Sequence, residues 1–375
     1  MYGIYNALYM RDGKKFEKPP LQSYENPEKC EAVEKIAATL EDRLERDFSD
    51  KEKFPFHNIE HSRRVATDTR KFLEIIRNVD LYLVSKEDLE YASILGYAHD
   101  IMQNAELKEG KMLERHRGYE MFNRKRLAEL EKNYGKIILG NEEESARILT
   151  NELNKYRDVF DDETKTTLRS AIGATYTEAE FAAVLPKRAM SVTHPDGRRE
   201  TLNQKYTVSP KFFQPELTPE SSLLALALAT ADIRGTVGAK QDFKEFREDG
   251  NNEFLELQQK AIVAEIKAGI ERVSPERRNE ITKTILGWVK FQVPFAIWQR
   301  ELFHESIKKN ERVAASGKRK EIIAALNAEY RFFDQNIIAA RDRYERLEKE
   351  RILTGEQSEL NDEKFSAILR EIGIR

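Results

Sequence analysis

Phe56-His57-Asn58-Ile59-Glu60-His61, Ala98-His99-Asp100 and Ser222-Leu-Leu-Ala-Leu-Ala-Leu-Ala-Thr-Ala-Asp232 are the stretches on which the fold turns. In the first, two histidines stand four residues apart. A helix of 3.6 residues per turn puts such a pair on one face. The second ends a helical pattern on an adjacent histidine and aspartate, a pair that can share one metal at a helix end. The third carries an aspartate at the end of an apolar helix. Imidazole nitrogen with carboxylate oxygen suits a hydrolytic divalent metal such as Zn²⁺, Mn²⁺ or Fe²⁺.

Around these stretches the periodicity is helical almost throughout. Ala32, Val33, Ile36, Ala37, Leu40 and Leu44 recur at three and four and predict a helix over 29–48. Phe54-Pro55-Phe56 breaks it, and the next helix is expected to start near His57, with Val65, Phe72, Ile75 and Ile76 on its apolar side. Ser85-Lys-Glu-Asp88 reads as a capping box before the helix that ends at His99-Asp100. A charged helix over 112–133 and helices opening at Asn141 and Asp161 follow, the former with Glu142, Glu143 and Glu144 against the helix dipole. Residues 186–217 carry prolines and an Asp196-Gly197 turn, and predict a hairpin-like insertion, either a lid or a surface excursion. Thr218-Pro219 is the expected start of the helix that delivers Asp232.

After Asp232 come helices over 253–272 and 276–310, then a long charged helix over 318–352 with Ile322, Leu326, Tyr330, Phe333 and Ile337 on one side. That stripe packs on the body or forms the seam of a homodimer. The expected organisation is an irregular arm over 1–28, a helical domain over 29–310 that carries the three opening stretches, and a charged helical tail over 311–375.

Composition narrows the class. The 375 residues are 34% charged and 40% apolar, with a net charge of −3 that argues against a general nucleic-acid binder. A lone cysteine, Cys30, fits a reducing compartment. The apolar run over 222–231 is far too short to span a bilayer, and no leader pattern opens the chain, so a cytoplasmic protein is expected. There is no phosphate-cradling glycine loop, no nucleophile elbow and no thiolate zinc set.

The order His…His-Asp…Asp resembles the HD superfamily of metal-dependent phosphohydrolases. His57-Asn58-x-x-His61 is similar to the motif that opens the cyclic-nucleotide phosphodiesterase catalytic domain. The resemblance implies an all-α bundle over roughly 30–310 that holds one or two ions (Zn, Mn, Fe or Mg) through His61, His99, Asp100 and Asp232. Asp100 would bridge a second ion, and His57 would be the acid that protonates the leaving oxygen. It further implies in-line attack of metal-bound hydroxide on phosphorus.

Phe291-Gln292-Val-Pro-Phe295 has the spacing of the family's purine-holding pair, which makes Gln292 and Phe295 candidate substrate contacts. Asn58 is a further candidate, and His116, between Arg115 and Arg117, could bind phosphate or assist a second metal. Ala174-Thr175 and the Phe243–Glu253 segment also resemble family segments. Two family motifs are absent: His99-Asp100 is followed by Ile-Met-Gln-Asn, and Ser145 by Ala-Arg-Ile-Leu-Thr. The expected substrate is therefore a small phosphorylated molecule, a nucleotide phosphodiester first. The alternatives are a nucleotidase or other phosphomonoesterase, an alarmone hydrolase, and a non-catalytic nucleotide-sensing scaffold.

Overall fold

The computed structural model describes residues 27–102, 141–180, 190–202, 211–214, 216–235, 243–353 and 360–374. The protein is all-α. Helix α1 (Pro27–Asp47) lies against α3 (Lys86–Ala98), which packs along α2 (Ile59–Val79). Then come α4 (Asn141–Leu153), α5 (Asp162–Gly173) and α6 (Leu223–Ala229). Their inner faces make a first core. Val65, Phe72, Leu73 and Ile76 of α2, Leu40 and Leu44 of α1, and all seven residues of α6 are buried in it. Each large side chain so placed contributes about 1.5–3 kcal/mol relative to exposure.

A second core forms around α7 (Phe243–Leu257), α8 (Pro275–Lys309), α10 (Phe333–Leu353) and α11 (Asp362–Glu371). Phe246 and Phe254 of α7, and Ile281, Val289 and Val293 of α8, are buried there. Helix α8 is 35 residues long and belongs to both cores, because Phe303 and Ile307 near its C-terminal end enter the first.

Residues 311–375 were expected as a tail beyond a domain ending at 310, but the described helices of that stretch pack into the body. Ile322 and Leu326 of α9 (Arg319–Glu329), with Tyr330 and Phe333, lie in the first core. Ile337, Ala340 and Tyr344 of α10 and Phe365 and Leu369 of α11 lie in the second. The apolar stripe is thus spent within the chain and is not free to serve as a seam between two copies.

Capping residues set the helix limits. Ser85 Oγ accepts from Asp88 N (3.0 Å) while Asp88 Oδ2 accepts from Ser85 N (2.8 Å), the expected box. Two starts differ from expectation. Helix α2 begins at Ile59 because Asn58 Oδ1 accepts from His61 N, so His57 lies before the helix. Helix α6 begins at Leu223 with Ser222 as cap, because Ser221 Oγ accepts from Thr218 N (2.9 Å) and closes a turn there first.

The insertion contains the expected hairpin, Ser191–Thr193 (β2) against Arg199–Thr201 (β3), with Gly197 at φ 84° in its turn. A second antiparallel pair joins Glu178–Glu180 (β1) to Lys211–Phe213 (β4). The β2–β3 hairpin is anchored. Val192 and Leu202 enter the second core, Thr193 N donates to Asp334 (2.8 Å), and Arg300 donates to the Ser191 carbonyl (3.0 Å). It is a docked excursion on α8 and α10. Of the arm expected over 1–28, residues 1–26 lie outside the described residues and Pro27 and Glu28 open α1 instead; the charged helix expected over 112–133 also lies outside them. Among the described residues no helix is long and apolar enough to cross a membrane.

Helices α2 and α3 come into close contact at Gly96. A Cβ placed there would lie 2.3 Å from Ala66 Cα and 2.4 Å from Ala66 Cβ, and backbone cannot yield as a side-chain tip can. Gly96→Ala must therefore push the two helices apart. The expected cost is about 1–3 kcal/mol, read from the denaturant midpoint of unfolding. An unchanged midpoint would show slack at this crossing.

Candidate metal centre

The crossing at Gly96 sets the positions of the two buried histidines. His61 lies in the first turn of α2 and His99 is the residue that caps α3, still in helical conformation. Both imidazoles are 1% exposed. His99 Nδ1 donates to the Gly96 carbonyl at 2.8 Å, which fixes the ring and leaves Nε2 facing inward. His61 Nε2 stands 3.4 Å from it.

Two carboxylates complete the group. Asp100 follows His99, and Asp232 arrives from α6 through Thr230–Gly235, which winds as a π-helix. Asp100 Oδ2 is 3.5 Å from His61 Nε2 and 3.3 Å from His99 Nε2. Asp232 Oδ1 is 3.6 and 3.5 Å from the same atoms. One ligand atom from each of His61, His99, Asp100 and Asp232 lies within 4.8 Å of the other three. Atoms that share an ion at about 2.0–2.2 Å stand about 2.8–3.6 Å apart at neighbouring corners and about 4.0–4.4 Å apart at opposite ones. The four side chains lie within a few tenths of an ångström of the spacing that one divalent ion needs.

The charges say the same. Two half-buried carboxylates set side by side against sealed imidazoles favour a compensating cation. Without a metal, protons supply it. Burial alone would push the His99 imidazole down, but Asp100 and Asp232 outweigh it and hold the ring well above its ordinary value. His61 is raised in the same way, again against burial. Burial would raise Asp100, and the histidines around it, His99 first, instead hold it well below the usual carboxylate range. Asp232 is lowered by His61 and His99 against burial. The histidine side of the group is closed, whereas the carboxyl side chains are 19% and 16% exposed, so the group opens to solvent past Asp100 and Asp232.

His57 stands beside the group. Its Nε2 is 3.5 Å from Asp100 Oδ2 and its Nδ1 is 3.4 Å from Glu256 Oε2. The same glutamate oxygen accepts the backbone N–H groups of Phe56 (3.0 Å) and His57 (2.9 Å). Glu256 therefore fixes both the main chain and the ring of His57. Sequence reasoning passed it over. Its signal was a lone acid inside the apolar run Phe254-Leu255-Glu256-Leu257.

The other candidates have different surroundings. Asn58 Nδ2 donates to the Phe54 and Pro55 carbonyls while Oδ1 caps α2, so the substrate contact expected of it is not what its atoms do here. Gln292, 3% exposed, accepts from Arg343 Nη1 at 3.0 Å, and Arg343 also donates to Asn251 at 3.2 Å. Its amide oxygen thus serves a buried polar hub between α7, α8 and α10 in place of the expected base contact. Phe295 continues an aromatic ladder, 5.7 Å from Phe291 and 5.2 Å from Trp298 between ring centres. His116 lies outside the described residues. Glu143 and Glu144 pair with Arg169 and Arg147, and Ser145 Oγ accepts from Met102 N at 3.2 Å, which seats α4 beside the His99-Asp100 end. Thr175 Oγ1 donates to the Ile172 carbonyl at the end of α5.

Two results follow from this geometry. Asp100→Ala removes a ligand and half of the negative charge, and is expected to bring bound Mn²⁺ or Zn²⁺ to background by elemental analysis; full occupancy would overturn the ligand set. Metal loading must also expel protons. Both histidines hold theirs above the ordinary imidazole range, so affinity falls as pH drops through their raised values and levels off above them. Calorimetric titrations in buffers of different ionisation enthalpy should show net proton release near neutrality. Heats that do not depend on the buffer would refute it.

The chain matches no protein-family model, no curated protein and no solved structure.

Proposed function

We propose that this chain is an HD-type metal-dependent phosphoric ester hydrolase, and specifically a phosphodiesterase acting on a small nucleotide. One observation carries the reading. Two buried Nε2 atoms and two solvent-facing carboxylates converge within 4.8 Å, with a carboxylate-bound histidine at their edge. A buried structural site would need no opening and no such neighbour.

His61, His99, Asp100 and Asp232 would hold the metal. When bound, a divalent ion lowers the pKa of a coordinated water from about 15.7 towards neutrality and offsets charge on phosphoryl oxygens. The chain's own residues do the rest. His61 and His99 close the inner side against solvent. Asp100 stands between the other ligands and His57, the corner that a second ion would share. His57 commits Nδ1 to Glu256, so the proton it can give up sits on Nε2, on the side of the carboxylates. Protonating the leaving oxygen matters most for poor leaving groups.

The test is hydrolysis of bis-p-nitrophenyl and p-nitrophenyl phosphate by the purified protein with Mn²⁺. Diester turnover that disappears in Asp100→Ala is expected. His57→Ala should keep its metal and lose about a hundredfold or more on alkyl diesters, and less on p-nitrophenyl esters. Equal losses on both would remove the acid role. Turnover of the monoester alone would assign a nucleotidase, and bound metal with neither activity a nucleotide-sensing scaffold.

A further inference from the structure

Helix α7 belongs to the second core through Phe246 and Phe254, whereas α2 belongs to the first. The acid beside His57 therefore comes from a different packing unit than the metal ligand His61. Some contact must hold the two units in register, since hydrogen bonds weaken steeply with small displacements. The Glu256 contacts themselves are one tie. A second lies two turns earlier on α7. Asp249 Oδ1 accepts from Arg64 Nη1 at 3.1 Å, and its other oxygen lies 3.0 Å from the same nitrogen as an ion-pair contact. Arg64 is three residues beyond His61 on α2, and Asp249 is seven residues before Glu256 on α7. Residues seven apart share a helix face, so one face of α7 grips the His57–Arg64 stretch at both ends.

The pair is well enough buried to matter. Asp249 is 7% exposed, and its carboxylate would be costly without a partner. The same turn of α7 is held from its other side. Asn251 accepts from Arg343, and Gly250 leaves no room for a Cβ, which would meet Gln292 Nε2 at 2.2 Å. The segment carrying Asp249 is thus fixed to the second core, and Arg64 transfers that position to α2.

We propose that Arg64 and Asp249 form a positioning pair that keeps α7 in register with α2, so that Glu256 receives the Phe56 and His57 amides and sets the His57 ring beside the metal centre. The consequence for turnover rests on the hydrolase reading above, whereas the consequence for the backbone does not.

The test is amide hydrogen exchange on the full-length, Mn²⁺-loaded protein, with Asp249→Asn, Arg64→Gln, Glu256→Gln and the exchanged pair Arg64→Asp/Asp249→Arg. In each single variant the Phe56 and His57 amides should exchange at least tenfold faster, while amides of α5 stay within twofold of the parent protein and bound metal is retained. The exchanged pair should recover protection to within threefold. Unchanged Phe56 and His57 amides in both Asp249→Asn and Arg64→Gln would overturn the proposal. So would equal acceleration in α5, which would reveal general destabilisation. In turnover, the single variants should lose more on alkyl than on p-nitrophenyl diesters, as His57→Ala does. A parent protein inert on every ester would defeat the hydrolase reading, and the exchange data would still decide the pair.

Discussion

The distance between α2 and α3 at Gly96 is the constraint on which the metal centre depends. Glycine removes the one atom that would hold the helices apart, and Ala66 opposite it is small for the same purpose. The close crossing brings the first turn of α2 to the last residue of α3, where His61 and His99 meet. The Gly96 carbonyl then takes the Nδ1 proton of His99 and turns its other nitrogen inward. One position thus settles both the separation of two ligands and the tautomer of one of them.

The remaining parts come from farther along the chain and from both cores. Asp232 ends the most apolar helix of the first core, whereas Glu256 sits on a helix of the second. The centre lies where the two units meet, with histidines on the sealed side and carboxylates on the open one. Helix α8, shared by both cores, and the Arg343 hub, which joins α7, α8 and α10, hold the second unit together. Buried charge of this kind adds little net stability and much geometric definition.

The parts of this arrangement legible in the sequence are those written in local patterns. Periodicity of three and four marks α1 and the apolar side of α2, and the Ser85–Asp88 box marks the start of α3. The four candidate ligands were readable because few histidines and one ordered motif left little choice, and the structure brings all four together. What was not legible depends on competition between neighbours or on contacts distant in sequence. Asn58 could extend the helix or cap it, and capping took His57 off it. Thr218 and Ser222 both suit a helix start, and a local Thr218–Ser221 turn decided between them. Glu256 meets His57 across 199 residues, and no spacing announces such a contact. The stripe over 322–337 signals burial equally well in a tail or in a core, and only the presence of two cores settles it.

The π-helix that carries Asp232 has a bearing on how such chains are compared. A π turn is how a helix accommodates one residue more than its regular winding allows, without unravelling on either side. The direction of the Asp232 carboxylate is therefore owed to the length of Thr230–Gly235 as much as to the aspartate itself. A relative lacking the extra residue would have to carry its acid one place along to meet the same two imidazoles. Ungapped comparison of two such chains would set a ligand against a bystander, although their sites superpose.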